Sequence, residues 1–496
     1  MTEEKFDLII LGGGISGSLV AISILKKKPA IKILILEKSV EFPQKVGEST
    51  SDITALFFRR LGIDHLLKDV VEKTGLRFLF NEDLSEKKEA VAEYSSPTYK
   101  NGPNNGFQLN RKVFDQQLLN EAELLGATVF RPVELIDSRF EDFHCELDVV
   151  YKEEKRKVSS RWFIDASGRS RYIHHKLSWK DVPVVLNTGT VFAHFTNCVS
   201  PEKWNLPVNE HWQKYAVGDQ SYSTLHFMRE NRWWWLIRID EKTTSIGVVF
   251  DKEFVACDDA EKFFENQITT DPQLKSVTEG SSRTKAVHFE TVPYQSEKLY
   301  DKGIALIGDS GAFVDPLVSP GLELICQQTL WLTELLVKDI ETKEFDAKKW
   351  KHYNQIFSKA YSDRMAVYKN GYRIMNSYDL SSNWLQLGLF AYFGLWVFRA
   401  YLIPKKLKFP FAINWIGRVG FSYMVWRLNR IQKKRKRQNR SSITRPNAVT
   451  NSGFKYPSGI FIYTIPFRMF FRWLYNYLKL ELIELRYLFK ASKKVN

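Results

Sequence analysis

The stretch Leu8-Ile-Ile-Leu-Gly-Gly-Gly-Ile-Ser-Gly17 decides the fold of this chain. The apolar run Phe6 to Leu11 predicts a buried strand, because continuous aliphatic residues that end in glycines are typical of parallel strands covered on both faces. Ile15 to Leu25 predicts a helix, and Ile31 to Leu36 predicts a second strand that ends at Glu37. This order of strand, glycine turn, helix and strand is that of a βαβ unit.

The glycine turn has the spacing G-x-G-x-x-G, formed by Gly12, Gly14 and Gly17. The first glycine permits a tight turn, the second lets the backbone approach a pyrophosphate, and the third lets the helix pack on the strand. Glu37 lies 20 residues after Gly17, where a carboxylate binds a ribose hydroxyl. The pattern predicts an α/β fold, α+β overall, with a Rossmann-type dinucleotide-binding domain. It disfavours the alternative of a glycine-rich loop without a ligand.

The basic character of the chain is concentrated at its C-terminal end. The 496 residues have a net charge of +15, but residues 391–496 contain 22 Lys and Arg against 2 Asp and Glu, so the rest is slightly acidic. The body therefore lacks the basic surface of a nucleic-acid-binding protein, and we expect no nucleic-acid partner. The polar, acidic N-terminal segment predicts no secretory signal, which suits a cytoplasmic protein. No metal-ligand spacing relates the four cysteines, so we predict no metal site.

Composition and periodicity divide the chain into three predicted regions. Residues 1–180 and 285–345 are expected to form a discontinuous dinucleotide-binding domain. Residues 181–284 alternate between apolar and polar side chains, as in Trp233-Trp-Trp-Leu-Ile-Arg-Ile239, and predict an inserted β-sheet domain on the substrate side. Residues 346–496 predict a helical region that ends in basic and aromatic sequence.

Three further segments resemble those of the group A flavin monooxygenases. Leu109-Asn-Arg111 resembles their arginine segment, Asp165-Ala-Ser-Gly-Arg169 resembles their DG motif, and Gly308-Asp309 resembles their GD motif. The resemblance spans residues 6–340 and implies a FAD-binding domain of the kind found in glutathione reductase and p-hydroxybenzoate hydroxylase, with Asp309 on the ribityl chain. No second G-x-G-x-x-G unit follows for a nicotinamide cofactor, so a separate flavin reductase is expected to supply FADH2.

Within that superfamily the chain resembles the flavin-dependent halogenases. Trp233-x-Trp235-x-Ile237 resembles their W-x-W-x-I-P signature, and Gly47-Glu-Ser49 resembles their G-E-(A/S) segment. Lys73-Thr-Gly-Leu-Arg-Phe78 resembles the segment of their catalytic lysine, which falls on Lys73. Asp315-Pro-Leu-Val-Ser-Pro-Gly321 resembles their D-P-x-x-S-x-G loop beside the flavin and the halide.

The resemblance implies a halogenation in which FADH2, oxygen and chloride or bromide give hypohalous acid. Lys73 would then pass the halogen to an electron-rich aromatic substrate, either a small molecule or a carrier-tethered group. The cofactor-binding residues that it implies are Gly12, Gly14, Gly17, Glu37, Gly47, Ser49, Arg111, Asp165, Gly308, Asp309, Pro316 and Gly321. It further implies Ser319 and Gly321 as halide ligands, and Trp233 and Trp235 as a wall between the flavin and the substrate.

Two positions depart from the halogenase pattern. Arg238 replaces the proline of the tryptophan signature, and Val318 stands where tryptophan-type members have a catalytic glutamate. Because the hydroxyl of a phenol activates its own ring, Val318 favours a phenolic or polyketide-like substrate over free tryptophan. Three other functions stay open: a flavin hydroxylase, a reductase of a lipid resembling the geranylgeranyl reductases, and a flavin-binding protein without activity. A solvated Lys73 and tryptophans that merely pack the sheet are the corresponding structural alternatives.

The C-terminal region predicts contact with an anionic surface. Asn383 to Phe398 is apolar but borderline for a bilayer span, and it precedes the basic run Lys433 to Arg437 and the aromatic segment Phe461 to Leu488. Basic residues interleaved with large aromatic residues suit the cytoplasmic face of an anionic membrane. An acidic acyl-carrier protein is a second possible partner, and packing of the apolar residues on the body is the alternative without a partner.

Overall fold

The computed structural model describes residues 3–80, 92–95, 106–200, 203, 222–392, 397, 415–438, 440, 449–451 and 461–492. The helices are α1 Ile15–Lys27, α2 Asp52–Leu61, α3 Arg111–Leu124, α4 Tyr172–Lys176, α5 Ala260–Thr270, α6 Pro272–Thr278, α7 Gly321–Thr342, α8 Ala347–Tyr372, α9 Tyr378–Ala391, α10 Trp415–Arg437 and α11 Phe461–Ser492. The strands are β1 Glu3–Leu11, β2 Ile33–Leu36, β3 Val71–Glu72, β4 Leu76–Phe80, β5 Ala92–Ser95, β6 Phe107–Gln108, β7 Thr128–Phe130, β8 Val133–Glu141, β9 His144–Tyr151, β10 Glu154–Asp165, β11 Thr188–Thr196, β12 Thr224–Arg229, β13 Arg232–Arg238, β14 Thr243–Asp251, β15 Ser282–Arg283, β16 Val287–Phe289, β17 Tyr294–Gln295, β18 Tyr300–Asp301, β19 Ile304–Leu306, β20 Ala312–Phe313 and β21 Val449–Asn451.

The first sheet is built on the predicted βαβ unit. Its order is β18, β19, β10, β1, β2 and β7, and the hairpin of β8 and β9 extends it from β10. β1 pairs in parallel with β2 and β10, and β10 pairs in parallel with β19. Leu8 and Ile10 are fully buried in the core that contains the helices, and Ile9 is fully buried against the β8 and β9 hairpin, so β1 is covered on both faces. This arrangement, with the α1 crossover between β1 and β2, confirms the predicted Rossmann-type fold class.

The carboxyl ends of β1, β10 and β19 meet at one edge of this sheet. The Ala166 amide donates a 2.9 Å hydrogen bond to the Leu11 carbonyl, and the Ile307 amide donates one of 3.1 Å to the Asp165 carbonyl. Ligands of open α/β sheets bind outside the carboxyl ends of the strands. Three segments that are distant in sequence are therefore brought to one place: the glycine turn, the Asp165 segment and the Gly308 segment.

The second sheet has the order β15, β11, β14, β13, β12, β4, β5 and β21, with β16 also paired to β11. β11 to β14 come from the interval 181–284, for which the sequence predicts a sheet. β4 and β5 come from the interval 1–180, and β21 comes from the helical interval 346–496. β4 joins this sheet by parallel pairing with β12, which local alternation along β4 cannot signal. The second sheet is thus assembled from three parts of the chain.

Alternate residues of the second sheet belong to two different cores. One face packs toward the first sheet and its helices, and it includes Phe78, Phe192, Trp233, Trp235 and Val249. The opposite face packs on α5 and α6, and it includes Leu79, Phe227, Trp234 and Val248. Since successive side chains of a strand point to opposite faces, the triplet of tryptophans on β13 is divided between the two cores. Two of its members face the first sheet.

A buried ionic network ties the C-terminal helices together. Arg435 of α10 donates hydrogen bonds of 3.0 and 2.8 Å to the carboxylate of Asp379 in α9 and one of 2.9 Å to Glu484 in α11. Arg435 and Glu484 are almost completely buried, and charges are rarely buried unless they are paired. Among the described residues, no helix is long and apolar enough to cross a membrane. The apolar stretch from Asn383 is helical to Ala391, and its residues 393–396 and 398 lie outside the described residues.

Candidate active site

The glycine turn leaves no space for side chains. Gly12 has a φ of +111°, and a Cβ there would lie 2.4 Å from the Ala166 carbonyl oxygen. A Cβ on Gly17 would lie 2.0 Å from the Gly12 carbonyl oxygen, so α1 packs on the turn only with glycine at this position. α1 begins directly after Gly14, which has no side chain to cover the first amides of the helix. The turn thereby fits the pyrophosphate of a dinucleotide.

Glu37 connects the end of β2 to the glycine turn. Its carboxylate accepts a 2.8 Å hydrogen bond from the Gly13 amide and another of 2.8 Å from the Ser39 amide. The side chain is buried at the carboxyl end of the strand. A carboxylate has about four lone-pair sites, so two are left for ribose hydroxyls. The position agrees with the predicted ribose contact, which stays a prediction.

Arg111 opens α3 and holds the segment before Gly47. Its guanidinium makes hydrogen bonds of 2.8 and 3.0 Å with Asp115 and donates one of 3.1 Å to the Val46 carbonyl. Gly47 has a φ of +94°, and a Cβ there would lie 2.7 Å from the Arg111 guanidinium. Lys45 adds a second positive charge 3.6 Å from Asp115. This cluster adjoins the glycine turn, so Arg111 and Gly47 shape the wall of the predicted flavin site.

Asp165 and Asp309 have different surroundings at the end of the first sheet. The Asp165 carboxylate accepts hydrogen bonds from the amides of Ser167 (2.9 Å) and Ile173 (2.8 Å), so its visible role is to fix the turn after β10. Gly308 has a φ of +64°, and a Cβ there would lie 2.5 Å from the Ser16 hydroxyl at the start of α1. The following Asp309 is therefore held beside the glycine turn. Burial raises the pKa of its carboxyl, and the positive charges of Arg169, Arg111 and Lys45 oppose that rise.

Lys73 is fixed by hydrogen bonds rather than free in solvent. Its ammonium donates a 2.9 Å hydrogen bond to the Ser49 hydroxyl and one of 3.2 Å to the Thr50 carbonyl. Its backbone amide donates a 2.8 Å bond to the Gly106 carbonyl. Burial lowers the pKa of Lys73 to about 8, against the charge of Asp52, which opposes the decrease. These contacts disfavour the reading of Lys73 as a solvated lysine.

The segment 47–51 spans the gap between the two sheets, and its Glu48 was not among the predicted site residues. Glu48 Oε1 lies 2.9 Å from His194 Nε2 on β11, and both side chains are buried. The Ser49 hydroxyl lies 3.1 Å from the Thr224 hydroxyl on β12. The Leu109 amide donates a 2.7 Å bond to the Glu48 carbonyl. The amine of Lys73 is therefore anchored to a segment that is fixed on both sides.

Asp52, which opens α2 two residues after Thr50, was also missed. Burial raises the pKa of its carboxyl to about 6, while the positive charge of Lys73 acts in the opposite direction. The Tyr392 hydroxyl donates a 3.4 Å hydrogen bond to its carboxylate. An acidic residue at the first position of a helix is ordinarily interpreted as favourable for the helix dipole. The sequence alone therefore does not mark Asp52 as a neighbour of Lys73.

Trp233 and Trp235 lie on β13 and face the first sheet. The Trp235 indole donates a 3.1 Å hydrogen bond to the Ser245 hydroxyl, and its ring lies over Gly247, where a Cβ would be 2.2 Å away. Beside Trp233, the ring of His226 is 5.5 Å away, and it stacks on Phe78 at 4.5 Å. Burial lowers the pKa of His226 to about 3, and the charge of Lys73 adds to that effect. An aromatic surface with a neutral imidazole thus adjoins the amine.

The predicted halide loop is strained and is linked to this aromatic surface. Val318 and Ser319 have φ angles of +62° and +61°, a conformation that is unfavourable for a β-branched residue and is found mainly at functional sites. Asp315 is completely buried at the start of the loop and accepts hydrogen bonds from the Leu317 amide (3.0 Å) and the Tyr372 hydroxyl (2.5 Å). Burial raises the pKa of Asp315 to about 6.

Tyr372, at the end of α8, joins the loop to the tryptophans. The Trp233 indole donates a 3.0 Å hydrogen bond to the same Tyr372 hydroxyl that donates to Asp315. The chain Trp233, Tyr372 and Asp315 is buried throughout. Gly321 opens α7 beyond the loop, and a Cβ there would meet open space. The assignment of Ser319 and Gly321 as halide ligands stays a prediction.

A family model for the tryptophan halogenases matches residues 7–81 and 77–379. The chain belongs to the tryptophan halogenase family. It is therefore an enzyme, a flavin-dependent oxidoreductase that halogenates with FAD and a halide co-substrate, as the resemblance implied. These matches do not favour the hydroxylase, the lipid reductase or the inactive flavoprotein. Helices α10 and α11 of this halogenase lie beyond the residues that the family model matches.

Curated relatives of this halogenase act on different substrates. It is 24% identical over 385 residues to the 1H-pyrrole-2-carbonyl-(peptidyl-carrier protein) chlorinase of Pseudomonas fluorescens, a match that covers 71% of this chain and 80% of that protein. It is 26% identical over 360 residues to the tryptophan 2-halogenase of Chondromyces crocatus, covering 68% and 62% of the two chains. Sequence identity at this level does not distinguish a carrier-bound substrate from a free amino acid.

Solved halogenase structures have the same fold. The structure of halogenase PltM in complex with phloroglucinol and FAD superimposes with a TM-score of 0.74 at 18% identity, covering 88% of this chain and 93% of that one. The flavin-dependent brominase Bmp2 superimposes with a TM-score of 0.62 at 19% identity, covering 88% and 99%. The arrangement of two sheets described above is therefore that of known halogenases.

Proposed function

We propose that this halogenase modifies a phenolic or carrier-tethered aromatic ring and that Lys73 delivers the halogen to it. The observation that supports this most strongly is the position of the Lys73 amine, which is held by Ser49 and Thr50 beside the aromatic face of the second sheet. FAD, when bound in its reduced form, supplies the oxidation of halide by oxygen to hypohalous acid. The residues of this chain then have to hold that acid, transfer it and keep water away.

The lowered pKa of Lys73 allows both protonation states of the amine that the halogen transfer needs. As an ammonium, the side chain donates a hydrogen bond to hypohalous acid, and as a neutral amine it binds the halogen. With a pKa of about 8, both forms are present near neutral pH, whereas an ordinary lysine is almost entirely protonated there. The charge of Lys73 favours the ionised carboxylate of Asp52. The negative charge of that carboxylate in turn favours the protonated form of Lys73.

The aromatic face next to Lys73 supports the proposed substrate class. Trp233, Trp235 and Phe78 are buried aromatic rings on this face, against which a planar substrate ring would have to pack. Burial keeps His226 neutral, and its ring stacks on Phe78, so it adds flat, uncharged surface to this face. Val318 offers no carboxylate of the kind that tryptophan-type members use. A phenol, which activates its own ring, fits this combination.

Reduced flavin is proposed to come from a separate reductase, and the enzyme is proposed to work in the cytoplasm. The sequence has a single G-x-G-x-x-G unit, and the geometry of Gly12 and Gly17 fits this unit to the binding of one dinucleotide. The carrier-protein chlorinase of Pseudomonas fluorescens makes a tethered substrate a reasonable second candidate beside a free phenol. Association with the cytoplasmic face of a membrane rests on α10 and α11, whose surface is described below.

The test is product analysis with a matched pair of lysine variants. The enzyme, supplied with FADH2 by an added flavin reductase and with chloride or bromide, is given a panel of phenols, carrier-bound aromatics and tryptophan, and products are identified by halogen isotope patterns. Lys73→Ala should abolish halogenation while FADH2 oxidation continues, and Lys68→Ala, at an exposed lysine five residues away, should leave it intact. Full halogenation by Lys73→Ala would refute the proposed transfer, and exclusive halogenation of tryptophan would refute the proposed substrate class.

A further inference from the structure

Helix α11 exposes a continuous apolar stripe. Phe471, Tyr475, Leu478, Leu482 and Leu485 are each between 45% and 65% exposed. Their spacings of four, three, four and three residues place them on one face of the helix, over a length of about 21 Å. Isolated exposed apolar residues are common on proteins, but five large ones in a row on one helix face indicate a contact surface.

Helix α10 exposes a shorter stripe of the same kind. Val419, Tyr423 and Trp426 follow one another at spacings of four and three residues, and each is about half exposed. The guanidinium of Arg430, one turn further on, lies 5.0 Å from the centre of the Trp426 ring. Arg427, next to Trp426, makes a 2.5 Å ion pair with Glu481 of α11, so the two helices are linked close to both stripes.

The opposite faces of both helices are already occupied. In α10, Met424, Val425, Leu428 and Ile431 are buried in the main core. In α11, Leu480 is buried in the same core. The exposed stripes therefore lie on the sides of α10 and α11 that face away from the core. They are a second apolar face, which the described part of the chain leaves uncovered.

Within residues 391–496 the charged residues are almost all basic. Glu481 and Glu484 are the acidic residues of 391–496, and both are paired with arginines: Glu481 with Arg427, and Glu484 with Arg435 and Arg440. The exposed basic residues beside the stripes are Arg430, Lys433, Arg437, Lys479 and Arg486. Because every acid is neutralised, the surface presented to a partner is apolar and positive.

We propose that α10 and α11 form a docking face that lies flat on an anionic lipid bilayer. Helices that lie in a membrane interface have large apolar residues on one face and Lys or Arg along its margins, as these two helices do. The basic margin attracts anionic lipid headgroups, and the apolar stripe enters the boundary between headgroups and acyl chains.

The bilayer fits this face better than two other occupants. A second copy of the chain would bring the same positive margin against itself, and like charges oppose such an interface. An acidic carrier protein would satisfy the charge, but charged surfaces do not cover a stripe of phenylalanine, tyrosine and three leucines. The bilayer satisfies both requirements at once. This inference goes beyond the proposed reaction, because it concerns helices beyond the residues that the family model matches.

The experiment is flotation of the full-length, FAD-loaded enzyme with vesicles of phosphatidylcholine alone and of phosphatidylcholine with about one third phosphatidylglycerol. We expect binding to the anionic vesicles that weakens with salt, since surface charge is screened. Replacing both Leu478 and Leu482 by Ser should reduce that binding by about tenfold or more. Leu124→Ser, at a leucine of α3 that is 84% exposed, is the matched control and should bind as the unmodified enzyme does.

A second variant tests the charged margin separately. Changing Lys479 and Arg486 to Glu should reduce binding to anionic vesicles by about fivefold or more and should leave flavin content and halogenation of a soluble phenol unchanged. Equal vesicle binding by the enzyme and both variants, or no binding to either vesicle, would overturn the inference. So would a dimer or a carrier-protein complex that requires Leu478 and Leu482 in the absence of lipid binding. Halogenation is measured in the same samples, so a failure of docking is distinguishable from a failure of the proposed reaction.

Discussion

Lys73 and the lysines of the C-terminal helices show how position decides what one side chain does. Lys73 is held by Ser49 and Thr50 in a place where burial lowers its pKa to about 8. Lys433 and Lys479 are exposed at the margin of apolar stripes. In the body, desolvation favours the neutral form of the amine. In the C-terminal helices, exposure keeps it a charge that attracts an opposite surface.

Buried charged residues also differ between the body and the C-terminal helices. In the body, Asp52, Asp309 and Asp315 are carboxyls whose pKa values burial raises, and each adjoins the predicted flavin, halide or amine position. In the C-terminal region, the buried charges of Arg435 and Glu484 are fully paired. Perturbed groups in a cleft are candidates for catalysis, whereas a paired network serves structure. Variants in one region are therefore expected to leave the other unchanged.

The largest expected effect is that of Gly17→Ala in the body. A Cβ there would lie 2.0 Å from the Gly12 carbonyl oxygen, so the glycine turn has to move and the flavin site is lost. We expect FAD affinity to fall by more than about 100-fold, measured by flavin fluorescence titration. Gly388→Ala in α9, where a Cβ meets open space, is the control and should bind FAD normally. Gly17→Ala should still float with anionic vesicles, and loss of flotation would contradict the separation of the two regions.

The next effect is that of Arg435→Ala in the C-terminal helices. The substitution leaves Asp379 without its arginine and leaves Glu484 with Arg440 alone, which costs about 3 kcal/mol of stability. We expect a clear decrease in the denaturant midpoint for the part of the transition that includes α9 to α11. Arg437→Ala, at an exposed arginine two residues away, should change it little. If both variants unfold alike, the network does not hold these helices.

A smaller effect is expected for Tyr372→Phe, which removes the hydroxyl between Trp233 and Asp315. The hydroxyl donates to Asp315 and accepts from Trp233, so its loss should displace the strained halide loop at a cost of about 1–3 kcal/mol. Steady-state kinetics should show a raised KM for chloride or bromide, with FAD binding retained. Tyr172→Phe, which removes a hydroxyl bonded to Ser138 in the first sheet, is the matched control. An unchanged halide KM would mean that Tyr372 only fills space.

Local patterns predicted the first domain well. The glycine spacing around Gly12 and Gly17, the apolar strand before it and the acid at Glu37 are all patterns of residues close in sequence, and in the structure they form one βαβ unit. The resemblance of Lys73 and of the Asp315 loop to halogenase segments led to the correct family. These features depend on short-range geometry, which a single sequence records.

The remaining features depend on pairings between distant residues. β4 belongs to the second sheet because it pairs with β12, and nothing in Leu76 to Phe80 names that partner. No local pattern marks His226 or Tyr372 as a site residue. Both lie beside Trp233 because the fold brings distant segments together. The sequence shows that the segment of α11 is rich in aromatic and apolar residues. The packing of the helix decides which of these residues are exposed, and the sequence does not reveal that packing.

The most direct test of the account is the pKa of the Lys73 amine in the folded enzyme. It can be measured by trace acetylation across a range of pH, with the extent of labelling at each lysine read by mass spectrometry of peptides. We predict that labelling of Lys73 rises with a midpoint near pH 8, because burial removes its charge above that value. A midpoint near about 10.4, the ordinary value of an exposed lysine, would contradict the claim that the fold makes Lys73 the reactive amine.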